Sequence, residues 1–356
     1  HLLDAQRRRR VKPAGSLDGL ARLIGSPRQG LARRATEAAG LWQVAAAVQP
    51  VAALAADTSR PAPFRLTAVQ TLGRFSTTAA RDQLRRLAAD ENGPLPLRIA
   101  ALAAMLDQQA EAAAAIAATL LAEPVAEADQ IAIFKAFLAR QGSPARLAEA
   151  IAASGKQPPA AVATTGLKQL AGLGREEPAL AATLKRVQGG AGSTSGLRGL
   201  SPGEMAEFLA FVQASGDAER GHAIYRREKL QCVKCHRVGR EGGRVGPNLS
   251  TIGVASQPDY IVNSLLEPAK NIKEGYNTLV VLTADGRVVT GIPVSRTDAE
   301  LVLRTADDKQ VNLRVADIDE ESAGTSLMPV GLVDQLSRQE LADLTSYLLG
   351  LGREGL

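Results

Sequence analysis

Cys232-Val233-Lys234-Cys235-His236 decides how this chain is read. Its two cysteines are the only ones in 356 residues, and a histidine follows the second directly. Two intervening residues let one short turn set both sulfurs along one edge of a porphyrin while the next side chain swings beneath the metal. That is the spacing of c-type haem attachment, in which the thiols of Cys232 and Cys235 add to the vinyl groups and the His236 imidazole becomes the proximal iron ligand. A structural zinc site wants four ligands, and only His1 and His222 remain to complete one. A thioredoxin-like Cys-x-x-Cys opens a helix in a βαβ setting, whereas the residues before Cys232 read as a helix themselves. The expectation is one covalently attached haem c.

A haem so bound normally takes a second axial ligand, and methionine sulfur is the common choice because it favours the reduced iron. Of the three methionines, Met105 and Met205 precede the attachment motif. Met328 stands in Ser326-Leu327-Met328-Pro329, a loop just before the last helix, and is the candidate. The competing reading makes it a core methionine, with another sixth ligand or none.

Local chemistry places the elements around this motif. Ser201-Pro202-Gly203-Glu204 combines an N-cap, an N1 proline and a capping-box glutamate, which predicts a helix to Ala214. Gly216-Asp217 opens a second helix carrying Gly221, Ile224 and Tyr225, with His222 as a surface residue. Ser256-Gln257-Pro258-Asp259 caps a helix with Ile261, Leu265 and Leu266 on one face, ending near Pro268. Ser337 and Glu340 form the capping box of the last helix, where Leu341, Leu344, Tyr347, Leu348 and Leu351 share a face. Between them, residues 278–283 and 287–292 flank Ala284-Asp285-Gly286, and residues 301–304 and 311–314 flank Asp307-Asp308-Lys309. These signals predict four strands in two hairpins, a β insertion over about 276–318.

Residues 1–187 are rich in Ala, Leu, Arg and Gln, with apolar residues returning every three or four positions, so helix follows helix. Segments starting at Arg34, Arg65, Arg98, Gln130 and Val162 recur about every 32 residues. Seven positions on stand Leu41, Leu72, Met105, Phe137 and Gln169. Two helices per unit would make a HEAT-like α-solenoid, with breakers such as Ser26-Pro27, Pro61-Ala62-Pro63, Asn92-Gly93-Pro94, Ser143-Pro144 and Pro158-Pro159 between units. An irregular bundle is the competing reading. Trp42 and Met105 read as core residues. A Gly/Ser-rich linker, 188–200, separates this half from a second domain, 201–356.

A formal net charge of +5 and 3% aromatic residues leave little with which to stack bases, which speaks against a nucleic-acid partner. The run Arg7-Arg8-Arg9-Arg10 reads as a solvated face. No stretch has the apolar length of a transmembrane segment, and the first residues carry no signal-peptide pattern, as though the chain were part of something longer. Attachment of haem to Cys-x-x-Cys-His implies export, so a periplasmic or otherwise exported location is expected.

The order Cys-x-x-Cys-His, Gly246-Pro247-Asn248-Leu249, Glu267-Pro268-Ala269-Lys270, Gly275-Tyr276, the hairpins, Ser-Leu-Met-Pro-Val-Gly-Leu and the final Leu-x-x-Leu-x-x-Tyr-Leu resembles the class I cytochrome c-like haem-binding domain of planctomycete and verrucomicrobial multidomain proteins. The resemblance covers about residues 216–351. It implies that the Pro247 carbonyl accepts the proximal imidazole N–H, fixing the ring and raising its basicity. It implies too that Gly221 on the first helix meets Tyr347 on the last where the two cross. Lys270, Lys273 and Tyr276 fall on the segment leaving the haem pocket, as candidate propionate partners. In that family the domain follows HEAT-like repeats and a sugar-dehydrogenase-like β-propeller, whose exit His1–Arg7 resembles. The fold expected is mainly α, a solenoid followed by a helical haem domain with a small β insertion.

The function expected is electron transfer by His236/Met328-ligated haem, from a redox protein or dehydrogenase domain to an external acceptor, with the repeats offering a protein-binding surface. An iron with both axial positions filled has no place for substrate, so this chain reads as a carrier rather than an enzyme. Two other classes stay open at this point: a haem-based sensor or interaction scaffold, and a peroxidase-like haem enzyme with a labile Met328.

Overall fold

The computed structural model describes residues 12–188 and 199–353. The His1–Arg7 resemblance, the Arg7–Arg10 run and most of the Gly/Ser linker lie outside the described residues. The chain is mainly helical, with one five-stranded antiparallel sheet. It divides into two compact units, residues 12–166 with 182–187, and residues 167–181 with 188 and 199–353.

The first unit is built from helices α1 (Gly19–Ile24), α2 (Gln29–Leu41), α3 (Val48–Ala56), α4 (Ala62–Leu72), α5 (Thr78–Ala89), α6 (Leu95–Met105), α7 (Ala110–Leu121), α8 (Glu127–Leu138) and α9 (Ser143–Ala153). Helices α10 (Ala160–Ala171) and α11 (Pro178–Val187) each contribute part of their length. First helices of successive pairs begin at Gln29, Ala62, Leu95, Glu127 and Ala160, a step of 32 or 33 residues. Helices α2, α4, α6 and α8 pack one on the next, and so do α3, α5, α7 and α9. The recurring apolar position is fully buried where Leu72, Met105 and Phe137 occupy it. The recurring arginines have a task as well. Arg65 Nε donates to the Ala55 carbonyl at 2.9 Å and Arg98 Nε to the Ala88 carbonyl at 3.2 Å. Each reaches back to the last turn of the preceding helix, whose carbonyls lack intrahelical partners and favour a cation. Pro61 and Pro94 stand at helix starts, as expected of breakers between pairs, whereas Pro144 opens the second helix of its pair.

The second unit adds α12 (Pro202–Ser215), α13 (Ala218–Tyr225), α14 (Cys232–Cys235), α15 (Ile252–Ala255), α16 (Pro258–Leu266) and α17 (Arg338–Gly350). Capping boxes at Ser201/Glu204 and Ser337/Glu340 start α12 and α17, as their sequences predict. Helix α16 departs from expectation, since its N-cap is Gln257 and no side chain caps it. Apolar faces of α12, α13, α16 and α17, including Phe208, Ile224, Ile261 and Leu344, share one core. Helices α13 and α17 cross closest. A β-carbon on Gly221 would lie 2.0 Å from the Asp343 carbonyl oxygen and 2.7 Å from Tyr347 Cβ, so only hydrogen fits there.

Asp343 is itself only 2% exposed. Its carboxylate accepts from Arg220 Nε at 2.8 Å, Arg220 Nη2 at 2.9 Å, the Asp217 amide at 3.0 Å and Gln339 Nε2 at 2.9 Å. The Arg220 guanidinium, more than any other group, holds this carboxyl below its ordinary value of 3.8.

Strands β1 (Leu279–Thr283), β2 (Val288–Arg296), β3 (Glu300–Arg304) and β4 (Gln310–Arg314) form the two expected hairpins, and a fifth strand, β5 (Ile318–Ala323), pairs with β1. The sheet order is β4-β3-β2-β1-β5, so the insertion extends past 318 to Ala323. Proline is rare in a central strand because it cannot donate to the ladder, yet Pro293 sits in β2. The strand accommodates it at an irregularity between Pro293 and Ser295, beyond the stretch that pairs with β1.

Three outcomes follow in urea unfolding. Gly221→Ala lowers stability by more than about 3 kcal/mol, because the backbones must part. Arg98→Leu costs about 1–2 kcal/mol for one buried hydrogen bond. Because Asp343 is depressed in the folded chain, its contribution is present above about pH 4 and disappears as pH falls through the folded value, so Asp343→Asn flattens the acid limb of the stability curve.

Candidate cofactor site

The Cys-x-x-Cys-His motif comes soon after the end of α13. The chain leaves that helix at Tyr225, makes a 3₁₀ turn over Glu228–Leu230, and enters α14, the single turn holding Cys232 and Cys235, from Gln231 in the left-handed region at φ 55°. Both cysteines are half-buried and free of disulfides. Burial pushes the Cys232 thiol up to about 11 and moves Cys235 the same way. A thiol–disulfide catalyst needs its sulfur as thiolate near neutrality, and here both are held as thiols. The all-antiparallel sheet also offers no βαβ setting for such a motif.

His236 ends the turn with its imidazole Nδ1 2.8 Å from the Pro247 carbonyl. A carbonyl only accepts, so Nδ1 carries the proton and Nε2 keeps its lone pair for a ligand or metal. Burial, partly offset by the Pro247 bond, lowers the imidazole's pKa and keeps the ring neutral. The neighbouring loop packs hard on this ring. A β-carbon on Gly246 would come within 2.4 Å of His236 Cε1, so glycine at 246 is what allows the loop to close over the imidazole. On the other side, the Tyr225 hydroxyl donates to the His236 carbonyl at 3.0 Å, a contact that nothing in the motif signals.

His236 and Pro247 line a pocket with about 870 Å³ of empty space, part of it open to solvent, and Met328 lines the same pocket. Its walls are mostly apolar, with Val245 and Leu249 from the glycine-rich loop, Ile261 and Leu265 from α16, Ile292 from β2 and Leu327 beside Met328. The β insertion therefore supplies part of the wall, and Ala306 and Cys235 both pack against the cluster of Val245, Ile292 and Leu327. Lys273 and Tyr276 line the pocket, whereas Lys270 does not; its ammonium pairs with Glu267 at 2.8 Å.

The remaining candidates fall elsewhere. Met205 packs in the helical core and Met105 in the first unit, both buried. His222 is exposed, its ring 5.1 Å from that of Tyr347. Among the described residues no three His, Cys, Asp or Glu side chains gather as a metal site, and no helix is long and apolar enough to cross a membrane.

The pocket brings an imidazole nitrogen and a thioether onto one mostly apolar cavity, whereas Cys232 and Cys235 stand on the adjoining turn and are not among its lining residues. Compared with known proteins, the sequence matches no family model and no curated protein.

The packing of Gly246 on the ring gives a direct expectation. Gly246→Ala displaces the imidazole and costs about 1–3 kcal/mol of stability in urea, with loss of the slowly exchanging Nδ1 proton in NMR spectra.

Proposed function

We propose that the chain is a c-type cytochrome electron-transfer module. The observation that carries this reading is the pairing of His236, its Nδ1 engaged by Pro247, with Met328 on one apolar pocket beside the Cys-x-x-Cys turn. When bound, haem c would supply one-electron chemistry. Cys232 and Cys235 would tether it as thioethers, His236 Nε2 would be its proximal ligand and Met328 sulfur its distal one. The Pro247 carbonyl orients the imidazole and increases its basicity. Val245, Ile261, Leu265, Ile292 and Leu327 would surround the haem with apolar wall, and such a shell tunes the potential.

The carrier reading is preferred over an enzyme because His236 and Met328 would together fill the coordination of a bound haem iron, and no Asp or Glu is among the residues lining the pocket. Support for a class I cytochrome fold comes from the close α13/α17 crossing at Gly221, and support for HEAT-like repeats from the 32–33-residue step and the Arg65 and Arg98 contacts. By the resemblance of residues 216–351, electrons would arrive from a dehydrogenase domain or redox protein and leave to an external acceptor, in an exported protein with the repeats free to bind a protein partner.

The test is optical. Haem-loaded protein is expected to show the weak far-red ferric band of sulfur-ligated haem, and Met328→Ala to abolish it while opening the reduced iron to carbon monoxide. A parent that lacks the band and binds carbon monoxide as readily as the variant overturns the assignment.

A further inference from the structure

The loop that carries Met328 is anchored at two places, and one of them lies far outside the stretch that resembles a haem domain. At the first, the Gly324 amide donates to the Thr278 carbonyl at 3.0 Å, and Thr278 Oγ1 donates to the Thr325 carbonyl at 2.5 Å. This ties the loop to the entrance of β1. At the second, the Thr325 amide donates to the Gly174 carbonyl at 2.6 Å. Gly174 belongs to the connection between α10 and α11, and it is buried at φ +68°.

The fit around Gly174 is close. A β-carbon there would meet Leu327 Cδ2 at 2.9 Å and Thr290 Cγ2 at 3.0 Å. Leu327 is also a wall of the pocket and the immediate neighbour of Met328. Arg175 secures the connection against the sheet, with Nη1 donating to Thr290 Oγ1 at 3.2 Å and Nε paired with Glu177 at 3.0 Å. Its side chain is only 12% exposed, so this is a fixed contact rather than a surface pair. Within the loop, the Met328 amide bonds Ser326 Oγ at 3.1 Å, which passes the constraint on to the methionine.

We infer that the Gly172–Glu177 connection is a positioning element for Met328, holding the thioether loop on the pocket and so setting how firmly sulfur stays on the iron. The inference rests on the haem reading above. Its consequence is that the sixth ligand's occupancy depends on a segment preceding the attachment motif by more than fifty residues.

The experiment compares Gly174→Ala and Arg175→Met with the parent and with Gly286→Ala. Gly286 is a second positive-φ glycine, in the β1–β2 turn, with nothing near its missing β-carbon, so it controls for backbone strain alone. Haem retained after denaturation and far-UV circular dichroism report attachment and folding; the far-red ferric band and carbon monoxide affinity of the reduced form report the sulfur. Carbon monoxide binds only the fraction with methionine released, so apparent affinity follows that fraction and is expected to rise about tenfold in the two clamp variants. Gly286→Ala is expected to match the parent. If both clamp variants keep the band and the parent's affinity, the positioning role is overturned. If Gly174→Ala fails to load haem, Arg175→Met decides by the same readouts. A parent without the band overturns the ligation reading, and the clamp with it; a parent with the band and indifferent variants overturns the clamp alone.

Discussion

The crossing of α13 and α17 at Gly221 is the constraint on which the second unit depends. With the Asp343 carbonyl where a β-carbon would otherwise stand, the two helices have essentially one way to meet. The Cys-x-x-Cys turn follows α13 and the Met328 loop precedes α17, so the same crossing delivers both ends of the site to one pocket. A buried carboxylate at such a contact would be costly if unpaired. Asp343 instead has four hydrogen bonds, two from Arg220, one from the Asp217 amide that begins α13 and one from Gln339 in its own helix. The charge thus locks the start of one helix to the body of the other.

What the sequence disclosed was mostly chemistry that acts over a few residues. The Cys232–Cys235 turn, both capping boxes and the Ala284-Asp285-Gly286 hairpin depend on neighbours in the chain, and each stands where its pattern predicts. The repeat period was legible because Arg65 and Arg98 do the same work 33 residues apart, but the register of the first unit slipped. Arg34 is the sixth residue of α2, while Arg65 is the fourth of α4, and in so alanine-rich a stretch few side chains mark the register.

Strand β5 escaped notice for a physical reason. Ile318-Asp319-Glu320-Glu321-Ser322-Ala323 has the composition of a solvated turn, with three acids and one large apolar residue. It is an edge strand, where charges are tolerated and even protective, and Arg296 holds its Glu321 at 2.8 Å. The Gly174 anchor was hidden more deeply. Its partners are Thr278, Thr290, Thr325 and Leu327, all more than a hundred residues away, and nothing local in Leu173-Gly174-Arg175 distinguishes it from any helix connection. Contacts that position a ligand across such distances are set by the assembled fold.

Electron transfer as proposed requires Met328 sulfur and His236 to share one haem. The most direct measurement is proton–carbon NMR of reduced, haem-loaded protein carrying labelled methionine methyl groups. Three methyl resonances are expected, two in the ordinary range from the buried Met105 and Met205 and one shifted far upfield by the porphyrin ring current. Three ordinary resonances in a protein that holds its haem covalently would contradict methionine ligation and, with it, the closed, electron-carrying iron at the centre of the account.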